Sequence, residues 1–178
     1  MNLPREVLDL MDKLDSTTYN HSFRLWEMAI GVEGYYHMTD DTLSTAAFVH
    51  DIGKLFIPSV ILDKREGFSN LEREIMDLHS YYGYRILEQY RVNEVVKRIV
   101  LWHHGLQPKV LLPLPDFYSV ETAEKAKILH TLDVFEALTT DRPYRRRLSV
   151  AEALSQMERE KGYHSEMIRY LKRTAQDF

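Results

Sequence analysis

The sequence contains no cysteine. Disulfides, thiolate metal sites and a cysteine nucleophile are therefore excluded. Any metal must be held by histidine, aspartate, glutamate or water, a donor set that suits iron, manganese or zinc rather than a thiolate-type structural zinc. Glycine and proline are scarce, seven and six in 178 residues, and no Asn-Gly pair occurs. Little therefore supports a β-hairpin architecture. No apolar run is long enough to cross a bilayer. The opening MNLPREVLDLMDKLDS alternates charge with apolar residues and has no signal-peptide core. The expectation is a cytoplasmic protein with no membrane partner. With a formal net charge of -4 there is no broad basic field, so no nucleic-acid partner is expected. Arg142, Arg145, Arg146 and Arg147 nevertheless crowd into six residues.

What is present is helical periodicity, on a chain long enough for one domain over 1–178 with a substantial core. A short N-terminal helical segment is expected within 1–15. Phe23, Leu25, Trp26, Ala29, Ile30 and Val32 recur at helix-like intervals between Thr18 and His37. A second helix is expected from about Asp41 to His50, stopping near Gly53. Ser69 to Glu72 reads as a capping box that opens the helix carrying His79. Further helices are expected at about Val92–His104, Glu121–Thr140 and His164–Ala175, with a second capping box at Ser149 to Glu152. Leu62 to Asn70 reads as a solvated loop. Gly105 to Val120 carries Pro108, Pro113 and Pro115 among Leu111, Leu112, Leu114 and Phe117. Such an apolar, proline-rich loop should pack against something, either the core or a protein partner or second copy.

The chemistry lies in histidines and aspartates set in apolar surroundings. His50-Asp51 ends the run AAFVHDIGK. An imidazole and a carboxylate side by side on a buried helix are costly unless something satisfies both. A metal does so, and a carboxylate with two oxygens can bridge a pair of ions. His103-His104 repeats the pattern after Ile99, Val100, Leu101 and Trp102. His79 precedes Gly83 by one helical turn, on a face where another backbone can approach closely. Asp133 lies in the apolar stretch ILHTLDVFEAL. A lone helical histidine is ordinarily a packing or surface residue, and a lone aspartate a cap or ion-pair partner. Two adjacent pairs and further single residues, all on expected helices, would each need a separate explanation of that kind.

These residues resemble the HD superfamily of metal-dependent phosphohydrolases, most closely its HD-GYP branch, whose members hydrolyse cyclic di-GMP. His21 in YNHSFRLWEMA is similar to the family's first metal histidine. HDIGK, His50 to Lys54, matches the naming doublet and its lysine. HSYYGYRIL matches the H-x-x-x-G-x-x-x-L helix, and WHHG the histidine pair. DVFEALTTDRPYR, Asp133 to Arg145, is similar to the final aspartate and the arginine-proline-tyrosine run. Gly105 stands where the branch has a glutamate after the histidine pair. The Gly-Tyr-Pro element is missing from LQPKVLLPLPDFYS. Thr17 stands where members with three metals carry a glutamate.

The resemblance implies an all-α HD-domain helical bundle with a metal site in its core. It implies two divalent metal ions, iron or manganese first, then zinc, cobalt or nickel. His21, His50 and Asp133 would complete one site and His79, His103 and His104 the other, with Asp51 as bridge. Asp51 and Lys54 would be catalytic, with Lys54, Arg142 and Arg145 on the substrate phosphate. The implied reaction is hydrolysis of a cyclic dinucleotide by a two-metal-activated hydroxide. The alternatives are an HD-type nucleotidase or phosphomonoesterase, and a non-catalytic binding module. Glu136, one turn from Asp133, reads either as support for the ligands or as an arginine partner. His37, His130 and His164 match no part of the pattern, and His130 reads as structural. Tyr81, Tyr82 and Tyr84 read as packing residues.

Overall fold

The computed structural model describes residues 1–64, 67–105, 119–141 and 146–174. Among the described residues every regular element is a helix: α1 (Arg5–Met11), α2 (Ser16–Tyr35), α3 (Thr42–Val49), a 3₁₀ turn (Ile52–Phe56), α4 (Ser59–Leu62), α5 (Asn70–Gln89), α6 (Glu94–Trp102), α7 (Val120–Thr139), α8 (Val150–Arg159) and α9 (Ser165–Thr174). The all-α expectation holds, and the helix limits differ from the expected ones by two residues or fewer.

Local chemistry explains those limits. The Asp15 carboxylate accepts from the Thr17 and Thr18 amides, so α2 starts two residues before the hydrophobic periodicity does. His37, in the left-handed region at φ 52°, lies beyond its end. Both capping boxes form, Ser69 with Glu72 on α5 and Ser149 with Glu152 on α8. Asn93 caps α6, so Val92 stays outside the helix and packs in the core.

Helix α3 lies at the centre, with all eight of its residues buried. It packs against α2, α6 and α7, while α5 packs on the 3₁₀ turn and on α6. Leu25, Ala29, Leu43, Ala46, Ile52, Leu87, Ile99, Leu129 and Leu132 form the shared core. Helices α8 and α9 close it through Met157, Met167 and Leu171. The small side chains of α3 let neighbouring helices come close, and this brings the ends of α3 and α6 to the same place. No helix among the described residues is long and apolar enough to cross a membrane.

One close approach sets the position of the site. A Cβ on Gly53 would lie 1.9 Å from the His79 carbonyl oxygen and 2.5 Å from the Gly83 nitrogen. Only a residue without a side chain lets the 3₁₀ turn lie on α5. This contact holds the His50-Asp51 segment against the helix that carries His79.

Candidate metal centre

Five helices converge on one cluster. Helix α2 supplies His21, the C-terminus of α3 supplies His50 and Asp51, and α5 supplies His79. The C-terminus of α6 supplies His103 and His104, and α7 supplies Asp133. Consecutive residues on a continuing helix point about 100° apart. Both members of a doublet can serve one site where the helix ends, and His50 and His103 are the C-cap residues of their helices. His50 and His103 are 1% exposed and Asp51 2%. Unpartnered polar groups at that depth would be costly.

The protonation of three rings follows from their partners. His50 Nδ1 lies 2.8 Å from the Ala47 carbonyl oxygen, His79 Nδ1 2.6 Å from that of Met76, and His103 Nδ1 2.6 Å from that of Val100. A carbonyl only accepts, so each Nδ1 carries the hydrogen and donates it. In the neutral ring Nε2 is then a bare lone pair. Burial, with Asp51 opposing it, pushes His79 down to about 3. Burial and the neighbouring His104 and His79 push His103 well below the ordinary range. His79 Nε2 nevertheless sits 3.3 Å from His103 Nε2 and 3.2 Å from His104 Nε2. Two lone pairs facing each other at that distance suit a shared cation. Ligands about 2.0–2.1 Å from one ion are themselves about 2.8–3.4 Å apart for angles between square and tetrahedral.

The other half of the cluster is anionic. His21 Nε2 is 3.0 Å from Asp133 Oδ1 and 3.9 Å from Asp51 Oδ2. Its Nδ1 donates to Glu136 Oε2 at 2.5 Å. Burial opposes charge on His21, but Asp133 and Glu136 together outweigh it and raise the ring to about 9. A proton on Nε2 therefore stands where a metal would give the same compensation. Asp51 faces both halves: Oδ2 is 3.3 Å from His50 Nε2, and Oδ1 is 3.5 Å from His79 Nε2. Burial opposes its charge, but His50 and Lys54 hold its carboxyl well below the usual range. Three donor groups are spaced to hold an ion: His79 with His103 and His104, His21 with His50 and Asp133, and His50 with Asp51 and His103. The donor set fits divalent metals, and all seven residues singled out in the sequence meet here.

Some placements differ from the sequence reading. Lys54 Nζ lies on Asp51 Oδ2 at 2.6 Å, so its ammonium is paired with the carboxylate. Arg142 and Arg145 lie outside the described residues, as do 106–118 of the proline-rich loop. Arg146 and Arg147 are exposed. Glu136 fills both of its expected roles: it holds His21 and accepts from Arg24 Nε at 2.6 Å and Thr140 Oγ1 at 2.9 Å. Arg24 and Thr140 escaped sequence reasoning. The available signal was spacing, since Arg24 follows His21 by three residues as Glu136 follows Asp133. His130 packs beside the site, its ring 5.9 Å from that of His104. Tyr84 is buried under Lys97, and Tyr82 lies against Phe56.

The family model described as HD domain matches residues 18–157. The chain belongs to the HD domain family. This HD domain is 28% identical over 166 residues to a cyclic di-GMP phosphodiesterase of Pseudomonas aeruginosa, covering 90% of this chain and 40% of that protein. It is 32% identical over 116 residues to the 3'3'-cGAMP-specific phosphodiesterase 3 of Vibrio cholerae, covering 65% of this chain and 25% of that protein. The chain thus spans well under half the length of these relatives. The crystal structure of the HD domain of the L. monocytogenes phosphodiesterase PgpH superposes with a TM-score of 0.69 at 17% identity, covering 95% of this chain and 94% of that one. The helical arrangement is therefore that of a known HD domain.

Proposed function

We propose that this HD domain hydrolyses a phosphodiester bond of a cyclic dinucleotide of the cyclic di-GMP kind, using two divalent metal ions, iron or manganese first. The observation that carries the reading is the placement of Asp51. Its two oxygens face two separate groups of histidine Nε2 atoms, which is the arrangement a bridging carboxylate requires. His21, His50 and Asp133 would hold one ion, and His79, His103 and His104 the other. A bound pair of this kind lowers the pKa of water to about 7 and clamps the phosphate.

The chain's own groups do the rest. The backbone acceptors on Nδ1 of His50, His79 and His103 fix each ring's orientation and turn its Nε2 inward. Glu136 orients His21 through Nδ1 with a charged acceptor, and a metal would take the place of the proton on its Nε2. Lys54 places a cation beside Asp51, where it can turn to a phosphate oxygen once metals neutralise the carboxylate. Arg142 and Arg145 are proposed as further phosphate contacts. The proposed partner is thus a small phosphodiester. The similarity to cyclic di-GMP and 3'3'-cGAMP phosphodiesterases supports that substrate class.

The test is hydrolysis of cyclic di-GMP, 3'3'-cGAMP, bis(4-nitrophenyl) phosphate and a nucleoside monophosphate by anaerobically purified protein. Cyclic dinucleotide turnover that Asp51→Ala abolishes is expected. Cleavage of the monophosphate alone would replace the reading with a phosphomonoesterase. No cleavage by folded, metal-loaded protein would leave a binding module.

A further inference from the structure

A cavity of about 660 Å³ opens beside His103 and His104, along the part of α7 that precedes Asp133. We propose that it is a base pocket, holding the purine of a nucleotide whose phosphate lies at the metal centre, and that it favours guanine. This rests on the phosphodiesterase reading above.

Four observations point there. The cavity and the metal centre share His104, whose Nε2 is 3.2 Å from that of His79 and whose ring adjoins His130. The volume falls in the range of small-molecule sites, about 300–1,000 Å³. One wall is aromatic and preformed: the His130 and Tyr163 rings stack at 5.6 Å with 19° between planes. That stack is anchored, because the His164 amide donates to Thr131 Oγ1 on α7 at 2.9 Å and Tyr163 Oη donates to Glu160 at 2.7 Å. Gly162, at φ 123°, makes the turn that brings Tyr163 in. Trp102 adds a third aromatic surface. Flat apolar walls of this kind suit a base.

The polar rim supplies the preference. Glu124 and Lys127 lie three residues apart on one side of α7, both exposed, both lining the cavity. Neither side chain has an ion pair or hydrogen bond among the described residues. They offer a carboxylate acceptor next to an ammonium donor. The edge of guanine presents an O6 acceptor followed by N1–H and N2–H donors. The carboxylate takes both N–H groups and the ammonium takes O6. Adenine offers one donor and one acceptor there, leaving a carboxylate oxygen unmatched. Lys127 and Glu124 precede Asp133 by six and nine residues, about 9 and 13.5 Å along the helix axis and about 120° and 180° around it, so the cavity reaches them from the metal centre past His104 and His130. A nucleotide spans such a distance from phosphate to the far edge of its base.

The test is calorimetric titration of the metal-loaded protein with GMP, AMP and ribose 5-phosphate. Wild type is expected to bind GMP at least about tenfold more tightly than ribose 5-phosphate, with AMP between. Glu124→Ala and Lys127→Ala, both at exposed positions, are expected to shrink that gap severalfold and to leave ribose 5-phosphate unchanged. Equal affinities for GMP and ribose 5-phosphate, or a gap that neither variant alters, would overturn the pocket. Cleavage of base-free bis(4-nitrophenyl) phosphate is followed in parallel. Cleavage without the GMP gap removes the pocket and keeps the hydrolase. The GMP gap without cleavage keeps the pocket and removes the hydrolase.

Discussion

Glu136 never reaches the cluster itself, yet it sets the state of His21. Its carboxyl is opposed by burial but held down to about 2 by His21, Arg24 and Thr140. A carboxylate behind a ligand histidine orients the ring and strengthens it as a donor, and removing such a partner typically costs about 10–100-fold in metal affinity. Glu136→Gln is expected to weaken metal binding by that amount in a chelator competition, and unchanged affinity would contradict the role. Protonation gives a second prediction. His79 is held at about 3, below its ordinary 6.5, so the unfolded chain takes up the proton first. That contribution is present above pH 6.5 and is lost as pH falls toward 3. His21 is raised to about 9, so its contribution is present below pH 6.5 and is lost as pH rises through 9. Metal-free protein should therefore be most stable near pH 6.5 and weaken on both sides. Urea unfolding across pH checks this, and a flat profile would contradict it.

Among the elements, the crossing of the 3₁₀ turn over α5 has the least room for change. A methyl on Gly53 meets backbone atoms of His79 and Gly83, which have no alternative rotamer to adopt. Gly53→Ala is expected to cost about 1–3 kcal/mol or more and to lower bound metal, because it separates His50-Asp51 from His79. Ser69→Ala removes the cap of α5 and should cost about 1 kcal/mol with metal content intact. Thermal unfolding with metal analysis separates the two. The elements were legible in the sequence because caps and periodicity are local. Ser69 and Ser149 announce their helices, and the doublets mark helix ends. The tautomer locks were not legible, since they depend on the ring rotamers of His50, His79 and His103 against the Ala47, Met76 and Val100 carbonyls. Nor was the Arg24–Glu136–Thr140 group, because Arg24 and Glu136 are 112 residues apart. His130 read as structural on its own residue type. Its place beside His104 appears only once α6 is docked on α7.

In the whole molecule, the cluster joins α2, α3, α5, α6 and α7 at one point, so metal binding and folding are linked. A ligand at a thousand times its Kd stabilises by about 4 kcal/mol. Chelation should lower Tm by several degrees, and readdition should restore it. The same convergence explains how a cluster of polar groups persists in an apolar core: the ring nitrogens of His21, His50, His79 and His103 each face a backbone carbonyl, a carboxylate or a candidate metal position. The most direct test is the metal content of anaerobically purified, folded protein beside Asp51→Ala. The account predicts about two ions per chain in wild type and fewer in the variant, because the bridge between the two histidine groups is gone. Folded wild-type protein that holds no metal, or a variant that holds as much as wild type, would contradict it.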